Sequence, residues 1–285
     1  MDKNKANAEK IAFFLDTVED RRLSEHTRRT YDTALTEIYN YLESREKTFE
    51  ELTLFDIRDY KKTTLKDFAP STQNLKLSVF RKFYDTMGEY GVIDYNPVVR
   101  SFNNKLEKKA LTYVNDNHYK LIENYFKENS SDNYVLGLRL MFFSGLRVGE
   151  VGEIDLMKDV LFQGDRAYLK VHGKGAKERI VPIFSRAAVK QIKEYQAAHQ
   201  SLLPLKIGTF TQIFDYHLKR LPKKLDLPVY SCHDFRRGFA VNLYTKTHDL
   251  ELLRVLLGHE SYNTTLLYIR DATVKIYNLP PELYA

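Results

Sequence analysis

The spacing of apolar side chains in residues 1–103 constrains the fold more than any other feature of the sequence. Four segments there carry apolar residues three or four positions apart, which is the spacing of one helix face, and none shows the alternation of a strand. These residues are Ile11, Phe14, Leu15 and Val18; Tyr31, Leu35, Ile38, Tyr39 and Leu42; Leu54, Ile57 and Tyr60; and Leu75, Val79, Phe80 and Phe83. Four amphipathic helices predict a small helical bundle.

Local signals mark where these helices begin and end. Ser24 is placed to cap the second helix, and Thr53 followed by Asp56 opens the third. Pro70 is typical of the first turn of a helix and Gly91 of the residue that ends one, so the fourth helix fills the segment between them. The two kinds of signal agree on the prediction of a helical unit.

The pattern changes after residue 111, where short strands join the helices. Helices are predicted at 115–128, 132–144, 185–199, 209–224, 233–246, 249–257 and 262–270, and strands at 160–162, 167–171 and 180–183. This segment is therefore predicted to be mostly helical with a small antiparallel sheet. We divide the chain into a helical domain (1–103), a linker (104–112) and a second domain (113–285), and the fold class is mainly α.

Several protein classes are excluded by composition. With 43% hydrophobic and 29% charged residues, the chain is neither disordered nor fibrous. The single cysteine, Cys232, excludes an intrachain disulfide and a multi-cysteine zinc cage. The longest apolar stretch, 135–143, is too short to span a membrane, and the N-terminal segment lacks the apolar core of a signal peptide. We therefore expect a cytoplasmic protein with no membrane partner.

The charge balance is basic but moderate. Lys and Arg number 44 against 38 Asp and Glu, which gives a net charge of +6 and a pI near 9.0. Net charge bears on association and not on fold, so an ordinary basic enzyme and a DNA-binding protein both stay open on this ground. The basic segment 100–109 is typical of a solvated tether, although such a segment can also lie along a phosphate backbone.

Two motifs in the second domain place basic side chains at turns. In SGLRVGE (144–150), Arg147 and Glu150 share one helix face, so Glu150 either orients the guanidinium or forms a plain surface ion pair. In HGKGAKER (172–179), the glycines favour a hairpin with Lys174 at its tip. This segment lacks the strand-loop-helix context of a nucleotide-binding P-loop, and most turns of this kind are only turns.

Two further motifs supply imidazoles and a phenol. His233 and Arg236 in CHDFRR share a helix face, so they could act together in a site. The alternative is a structural role, in which the histidine is a core residue and the arginine extends past it to solvent. A Cys232–His233 nucleophile pair is disfavoured, because adjacent residues on a helix point in different directions. His259 in LGHE and Tyr268 on the following helix also have plain interpretations, as a helix terminus and a core residue.

Considered together, six polar side chains favour a chemical function. They are Arg147, Lys174, His233, Arg236, His259 and Tyr268. Guanidinium groups can clamp the non-bridging oxygens of a phosphodiester and offset the charge of its transition state. A phenol becomes a useful nucleophile beside cations or a base, and a lysine or histidine can protonate the departing alkoxide. The six side chains together supply the groups needed for metal-free phosphoryl transfer onto a tyrosine.

These motifs resemble those of the tyrosine recombinase (phage-integrase-type) family, with the layout of its Xer-like simple recombinases. The six side chains stand in the family's order: an arginine in Gly-Leu-Arg-x-x-Glu, a hairpin lysine, a His-x-x-Arg pair, a Leu-Gly-His histidine and, nine residues later, a tyrosine. The resemblance covers nearly the whole chain. It implies a SAM-like helical core-binding domain and a catalytic domain that together form a C-shaped clamp round DNA.

The activity that this resemblance implies is site-specific DNA recombination without a cofactor or a metal. The two arginines and the Leu-Gly-His histidine would hold the scissile phosphate while Tyr268 attacks it to form a 3′-phosphotyrosine bond. Lys174 would protonate the departing 5′-hydroxyl, and His233 would assist proton movement at the nucleophile. Strand exchange through a Holliday junction implies a homotetramer on a double-stranded recombination site, alone or with a related recombinase or accessory protein.

The chain departs from the Xer-like pattern after the second arginine, where Arg237 replaces a histidine and Gly238 a threonine or serine. Lys177 is a competitor of Lys174 for the role of acid. Type IB topoisomerases use the same tyrosyl chemistry, and an inactive DNA-binding regulatory paralogue would keep the same fold, so both are alternatives. Dimer or cointegrate resolution, excision and integration all fit the chemistry of a recombinase.

Two surfaces are predicted to contact partners. Helices at 24–44 and 71–90 are predicted to face a major groove, and their candidate side chains are His26, Arg28, Arg29, Gln73, Lys76 and Arg81. The C-terminal tail from Thr273 to Ala285 contains several apolar residues before Pro280–Pro281. It fits either a peptide that docks on a neighbouring subunit or a frayed terminus.

Overall fold

The computed structural model describes residues 2–19, 25–106, 112–173, 178–198 and 207–273. The chain divides into two units, Met1–Lys108 and Lys109–Ala285. The described parts of both units are mostly helical, and the second holds a small antiparallel sheet, so the predicted mainly α fold class is confirmed. None of the described helices is both long and apolar enough to cross a bilayer.

The first unit is built from helices that match the predicted segments. Over residues 2–19 and 25–106 these are α1 (Lys3–Glu19), α2 (Glu25–Ser44), α3 (Leu54–Thr63) and α4 (Pro70–Glu89), with 3₁₀ turns at Phe49–Glu51 and Arg100–Phe102. Thr53 and Asp56 form a capping box at α3, since each side chain accepts from the other residue's backbone N–H. The predicted cap at Ser24 and the linker residues 107–111 lie outside the described residues.

The core of the first unit contains apolar side chains from α2, α3 and α4. Leu35, Ile57 and Phe83 are fully buried there. Leu75, predicted on the buried side of α4, is instead half exposed. The reason is helical phase, because the buried stripe of α4 is centred on Phe80 and Phe83 and Leu75 lies beyond its edge.

Two basic side chains of α4 that are predicted to face a DNA groove instead hold the first unit together. Lys76 is buried and pairs with Glu37 of α2. The Arg81 guanidinium donates to the backbone carbonyls of Val98 and Val99. The groove prediction is wrong for Lys76, because a buried, ion-paired ammonium is not available to a phosphate or a base.

The second unit combines helices with a sheet. In the parts of this unit that the structure describes, its elements are α5 (Asp116–Asn129), α6 (Asp132–Phe143), α7 (Val148–Glu153), β1 (Val160–Gln163), β2 (Arg166–His172), β3 (Glu178–Pro182), α8 (Arg186–Ala198), α9 (Ile207–Leu218), α10 (Leu221–Leu225), α11 (Cys232–Thr247), α12 (Leu250–Leu257) and α13 (Tyr262–Thr273). The strands are antiparallel in the order β1–β2–β3, with Leu161 opposite Tyr168. The helix predicted at 209–224 is two helices, because Pro222 stands in the first turn of α10 and a proline is not accommodated in a helix interior.

The N-terminal half of helix α11 is largely buried in the second unit, where it packs against α6 and the segment that precedes α5. Phe235 of α11 and Phe142 of α6 are buried in this contact. Gly238 has no room for a side chain, because a Cβ there would lie 2.3 Å from the carbonyl oxygen of Val114. This close approach explains a glycine where the resemblance predicts threonine or serine, and it fixes the helix that carries His233.

A smaller apolar cluster joins α11 to the last two described helices. Phe239 of α11, Leu253 and Leu257 of α12 and Ile269 of α13 are buried together. Because α13 is held against α11 by this cluster, side chains on the two helices can meet at the surface of the unit. Two of the predicted site residues, His233 and Tyr268, meet there.

Candidate active site

Helix α11 begins with a capping box and carries two of the predicted site residues in its first turns. The Asp234 carboxylate accepts from the backbone N–H of Ser231 at 2.8 Å. His233 is exposed, whereas Arg236, one turn later, is fully buried. Both nevertheless reach Tyr268: the His233 ring centroid lies 5.1 Å from the Tyr268 ring centroid and the Arg236 guanidinium carbon 5.9 Å from it.

The Arg236 guanidinium is held by backbone carbonyls and a histidine. Its Nη1 donates to the Gly145 carbonyl at 2.7 Å, and its Nη2 donates to the Leu257 carbonyl and lies 3.2 Å from Nε2 of His259. Gly145 has a φ of +65°, and a Cβ there would lie 2.4 Å from the Phe239 ring, so the turn requires glycine. Burial, with a smaller contribution from repulsion by the Arg147 guanidinium, lowers the pKa of Arg236 to about 10. The Arg236 side chain therefore stays cationic at neutral pH.

Glu150 of α7 is the anion that joins three arginines within the described residues. Arg147 donates to its carboxylate from the backbone N–H and from Nη1, both at 2.8 Å. Arg179 of β3 forms a two-pronged pair with it at 2.9 and 3.0 Å, and Arg236 Nη1 lies 3.5 Å away. Burial alone would raise the pKa of Glu150, but Arg179, the Arg147 N–H and Arg236 together lower it to about 2. The ionised carboxylate orients the Arg147 side chain, which is 44% exposed.

His259 lies directly after the end of α12, where Gly258 terminates the helix with a φ of +63°. Its buried ring has Nδ1 3.0 Å from Oγ1 of Thr265 and Nε2 3.2 Å from Nη2 of Arg236. Burial, followed by the charges of Arg236 and Arg147, lowers the pKa of His259 to about 3, so the ring is neutral at neutral pH. Since a guanidinium only donates, Nε2 accepts and the ring proton is assigned to Nδ1.

Tyr268 of α13 points its hydroxyl at His233. The Oη atom lies 2.7 Å from Nε2 of His233, and the two ring centroids of Tyr268 and His259 are 5.0 Å apart. Although the residue is exposed, neighbouring protein atoms partly desolvate its ring, and this desolvation, followed by the charges of Arg237 and Arg236, lowers the pKa of His233 to about 4. At neutral pH the imidazole is therefore neutral and can accept the phenolic hydrogen.

The described part of the chain brings five of the six predicted side chains together. Lys174 and its competitor Lys177 lie outside the described residues. On either side of that segment, the strands β2 and β3 are paired, and their ends are joined by a contact in which His172 Nδ1 lies 3.1 Å from Glu178 Oε1. The hairpin context predicted for Lys174 is therefore present on both sides of it.

Besides Glu150, two residues that hold the site are not among the six candidates. Arg179 anchors Glu150, and its only sequence signal is its place in the segment after the hairpin lysine. Thr265 contacts His259 across the turn between α12 and α13, and it has no local sequence signal. By contrast, the thiol of Cys232 is buried, and burial and then the charge of Asp215 raise its pKa to about 12, which disfavours a cysteine nucleophile.

The surroundings of these residues supply cations and few acids. Arg237 donates to Asp234 Oδ1 at 3.0 Å, and its guanidinium carbon lies 6.0 Å from the Tyr268 ring centroid. Within the described ranges, no group of three His, Cys, Asp or Glu side chains is arranged to hold a metal ion. The arginines can therefore bind an anion beside the Tyr268 hydroxyl, and His233 can accept the hydrogen of that hydroxyl.

Sequence comparison assigns both parts of the chain to known families. Residues 112–274 match the family described as Phage integrase family, and residues 11–89 match the Phage integrase N-terminal SAM-like domain. A tyrosine recombinase XerC of Thermodesulfovibrio yellowstonii is 30% identical over 268 residues, which cover 86% of this chain and 85% of that protein. A tyrosine recombinase XerD of Shewanella oneidensis is 26% identical over 287 residues, which cover 94% of this chain and 93% of that protein.

Solved structures share the fold at lower identity. A lambda integrase dimer bound to a COC′ core site has a TM-score of 0.73 at 18% identity and covers 96% of this chain and 80% of its own. The XerH recombinase in a pre-cleavage complex with difH has a TM-score of 0.68 at 18% identity, with 93% and 84% covered. A lambda integrase tetramer bound to a Holliday junction has a TM-score of 0.69 at 19% identity, with 89% and 77% covered.

Proposed function

Because the chain belongs to the phage integrase family of tyrosine recombinases, we propose that it is a site-specific DNA recombinase. The proposed reaction cleaves one phosphodiester and joins the freed end to a partner strand. The XerC and XerD relatives are recombinases, which favours strand exchange over the relaxing activity of a topoisomerase. The observation that carries the proposal is the position of the Tyr268 hydroxyl. It is hydrogen-bonded to a neutral His233, and the ring that carries it lies beside the guanidinium groups of Arg236 and Arg237.

Tyr268 is the proposed nucleophile. As its oxygen attacks phosphorus, His233 is placed to take the phenolic proton through the existing hydrogen bond. The new bond joins the Tyr268 oxygen to the 3′-phosphate, and the bond from phosphorus to the 5′-oxygen breaks. Since α13 is packed against α11 and α12 of its own chain, the proposed attack is in cis.

Two arginines and His259 are proposed to bind the scissile phosphate. Arg147 is half exposed and oriented by Glu150, so its guanidinium is available to an incoming anion. The buried Nε of Arg236 has no hydrogen-bond partner among the described residues, and a phosphate oxygen would satisfy this donor. Two guanidinium groups beside one phosphate offset the charge that builds up in the transition state.

Lys174 is the proposed acid that protonates the departing 5′-oxygen. This role rests on the resemblance and on the hairpin between β2 and β3, since the residue itself lies outside the described ranges. In the second half of the reaction, the 5′-hydroxyl of the partner duplex attacks the phosphotyrosine and regenerates the phenol. One phosphate ester replaces another at each step, so the proposed cycle uses neither ATP nor a metal ion.

The proposed partners are a double-stranded DNA recombination site and three further copies of this chain. The proposed location of the protein is the cytoplasm. The solved lambda integrase tetramer on a Holliday junction supports this assembly, because that protein has the same fold. The tail from residue 274 onward, outside the described residues, is the proposed contact to a neighbouring subunit. Closure of the two units round the duplex stays a prediction.

A covalent-adduct assay tests the proposed function. The DNA site is first selected from a random duplex library with the Tyr268→Phe variant, which is expected to bind without cleaving. A duplex of that site, nicked near the scissile phosphate so that a short fragment diffuses away, then traps the 3′-phosphotyrosine bond. Wild-type protein is expected to form the adduct and Tyr268→Phe none. An adduct with Tyr268→Phe, or its absence with the wild type, would overturn the proposal.

A further inference from the structure

Thr265 lies one turn before Tyr268 on α13 and makes a buried contact with His259. Its side chain is fully buried, and its Oγ1 lies 3.0 Å from Nδ1 of His259. Positions 265 and 268 are three residues apart and so share a face of the helix. One helix therefore carries both the proposed nucleophile and the hydroxyl that contacts His259.

The other ring nitrogen of His259 has a neighbour of a different kind. Its Nε2 lies 3.2 Å from Nη2 of Arg236, and arginine has only N–H donors. In the protein without DNA, Nε2 is therefore the acceptor and Nδ1 carries the ring proton. The Thr265 oxygen then acts as the acceptor for Nδ1–H.

A phosphate beside Arg236 reverses what the His259 ring must do. An anionic oxygen repels the lone pair on Nε2 but attracts an N–H at the same place. A neutral imidazole has one N–H, so donation from Nε2 requires Nδ1 to give up its hydrogen. Nδ1 then becomes a buried acceptor that needs a donor, and a hydroxyl can serve in either role.

We propose that Thr265 is a positioning residue whose hydroxyl holds the His259 ring in either tautomer, so that Nε2 can change from an acceptor for Arg236 into a donor to the DNA phosphate. In this change Nδ1 loses a proton, Nε2 gains one by exchange with water, and the hydroxyl hydrogen of Thr265 turns towards Nδ1. The charge of the ring is the same before and after. The inference rests on the proposed function, since the anion is the scissile phosphate.

Cleavage of the nicked duplex by two variants of Thr265 tests this role. Valine has the shape of threonine without the hydroxyl, whereas serine keeps the hydroxyl. Thr265→Val is expected to slow single-turnover cleavage by about 10-fold with unchanged DNA affinity, and Thr265→Ser to stay within about threefold of the wild type. Equal rates for Thr265→Val and wild type would overturn the inference. Unchanged DNA affinity also shows that the variant is folded.

A His259→Trp background separates tautomer control from simple packing. An indole is a fixed N–H donor with no second nitrogen, so it has no tautomer for Thr265 to hold. In this background Thr265→Val is expected to change the cleavage rate by less than about twofold, because the two sites are no longer coupled. The same loss in both backgrounds would assign Thr265 a structural role only and contradict the proposal.

Nitrogen-15 NMR of the histidine rings gives a readout that does not depend on cleavage. The His259 signals are assigned by their loss in His259→Gln, and the duplex is bound to Tyr268→Phe protein. We expect the proton on Nδ1 without DNA and on Nε2 with DNA, and no such change when Thr265→Val is added. The same tautomer with and without DNA would refute the switch.

The adduct assay separates the two possible failures. If wild-type protein forms the adduct and Thr265→Val cleaves as fast, the inference fails and the proposed function stands. If wild-type protein forms no adduct on the selected duplex, the proposed function itself fails.

Discussion

Two parts of the site use polar side chains in opposite ways. The first, which we call the buried ion cluster, consists of Glu150, Arg179, Arg236 and His259, whose side chains are almost inaccessible and are held by contacts with one another and with backbone carbonyls. The second, the open pair, consists of His233 and Tyr268, which meet at 2.7 Å at the surface. A substitution in the buried ion cluster is therefore expected to change both the stability of the fold and the rate of cleavage. A substitution in the open pair is expected to change the rate of cleavage alone.

The largest combined effect is expected from Glu150→Gln in the buried ion cluster. Loss of the carboxylate charge leaves three guanidinium groups without their shared anion, so the free energy of unfolding should fall by about 3–5 kcal/mol. Adduct formation should fall with it, because Arg147 also loses its orienting partner. Urea unfolding followed by circular dichroism measures the first effect.

The matched control is Glu153→Gln, an exposed residue at the other end of the same short helix. It is expected to change the free energy of unfolding by no more than about 0.5 kcal/mol. A Glu150→Gln protein as stable as this control would contradict the role given to the cluster.

The open pair is expected to respond in activity alone. His233→Gln removes the proposed proton acceptor of Tyr268 and should slow single-turnover cleavage by about 10²–10⁴-fold, the usual contribution of a general base. Because the side chain is exposed, the urea unfolding midpoint should stay that of the wild type. His248→Asn, an exposed change at the far end of α11, should cleave at the wild-type rate. Equal rates for the two variants would rule out the role of His233.

The smallest effect is a pH dependence of stability that arises in the cluster. The pKa of His259 is lowered from 6.5 to about 3 in the folded protein, so below pH 6.5 the unfolded chain binds a proton that the folded chain does not. Stability should therefore fall as the pH is lowered from 6.5. Glu150 has a pKa lowered from 4.5 to about 2, and its contribution is lost only between those values.

Urea unfolding between about pH 7 and pH 4.5 isolates the histidine contribution. Wild-type protein should lose more stability over this range than His259→Gln, which has no imidazole to titrate at this position. His233, with a pKa lowered to about 4, contributes in both proteins and cancels in the difference. Parallel pH profiles would show that the His259 ring is not held neutral by its surroundings.

Contacts between near neighbours in the chain could be predicted from the sequence, and contacts between distant ones could not. Arg147 and Glu150 are three residues apart at a helix start, so their pairing follows from helix geometry. Arg179 lies 29 residues from Glu150, and their ion pair exists only because β3 is placed beside α7. Thr265 lies only six residues from His259, but their buried contact depends on the turn between two helices, which has no local sequence signal.

The same distinction applies to the fold. The periodicity of apolar residues predicts the helices of the first unit, but it does not say how wide a stripe the neighbouring helices cover, and Leu75 is exposed for this reason. The break before α10 has a local signal in Pro222, because a proline is not accommodated in a helix interior.

Mass spectrometry of the trapped adduct tests the central claim most directly. After digestion of the protein and the DNA, the nucleotide remnant is predicted on the peptide that contains Tyr268, at the Tyr268 side chain itself. Tyr262 provides an internal comparison, because it lies on the same helix and its hydroxyl donates to Glu251. A remnant on Tyr262, or on any side chain other than Tyr268, would contradict the account.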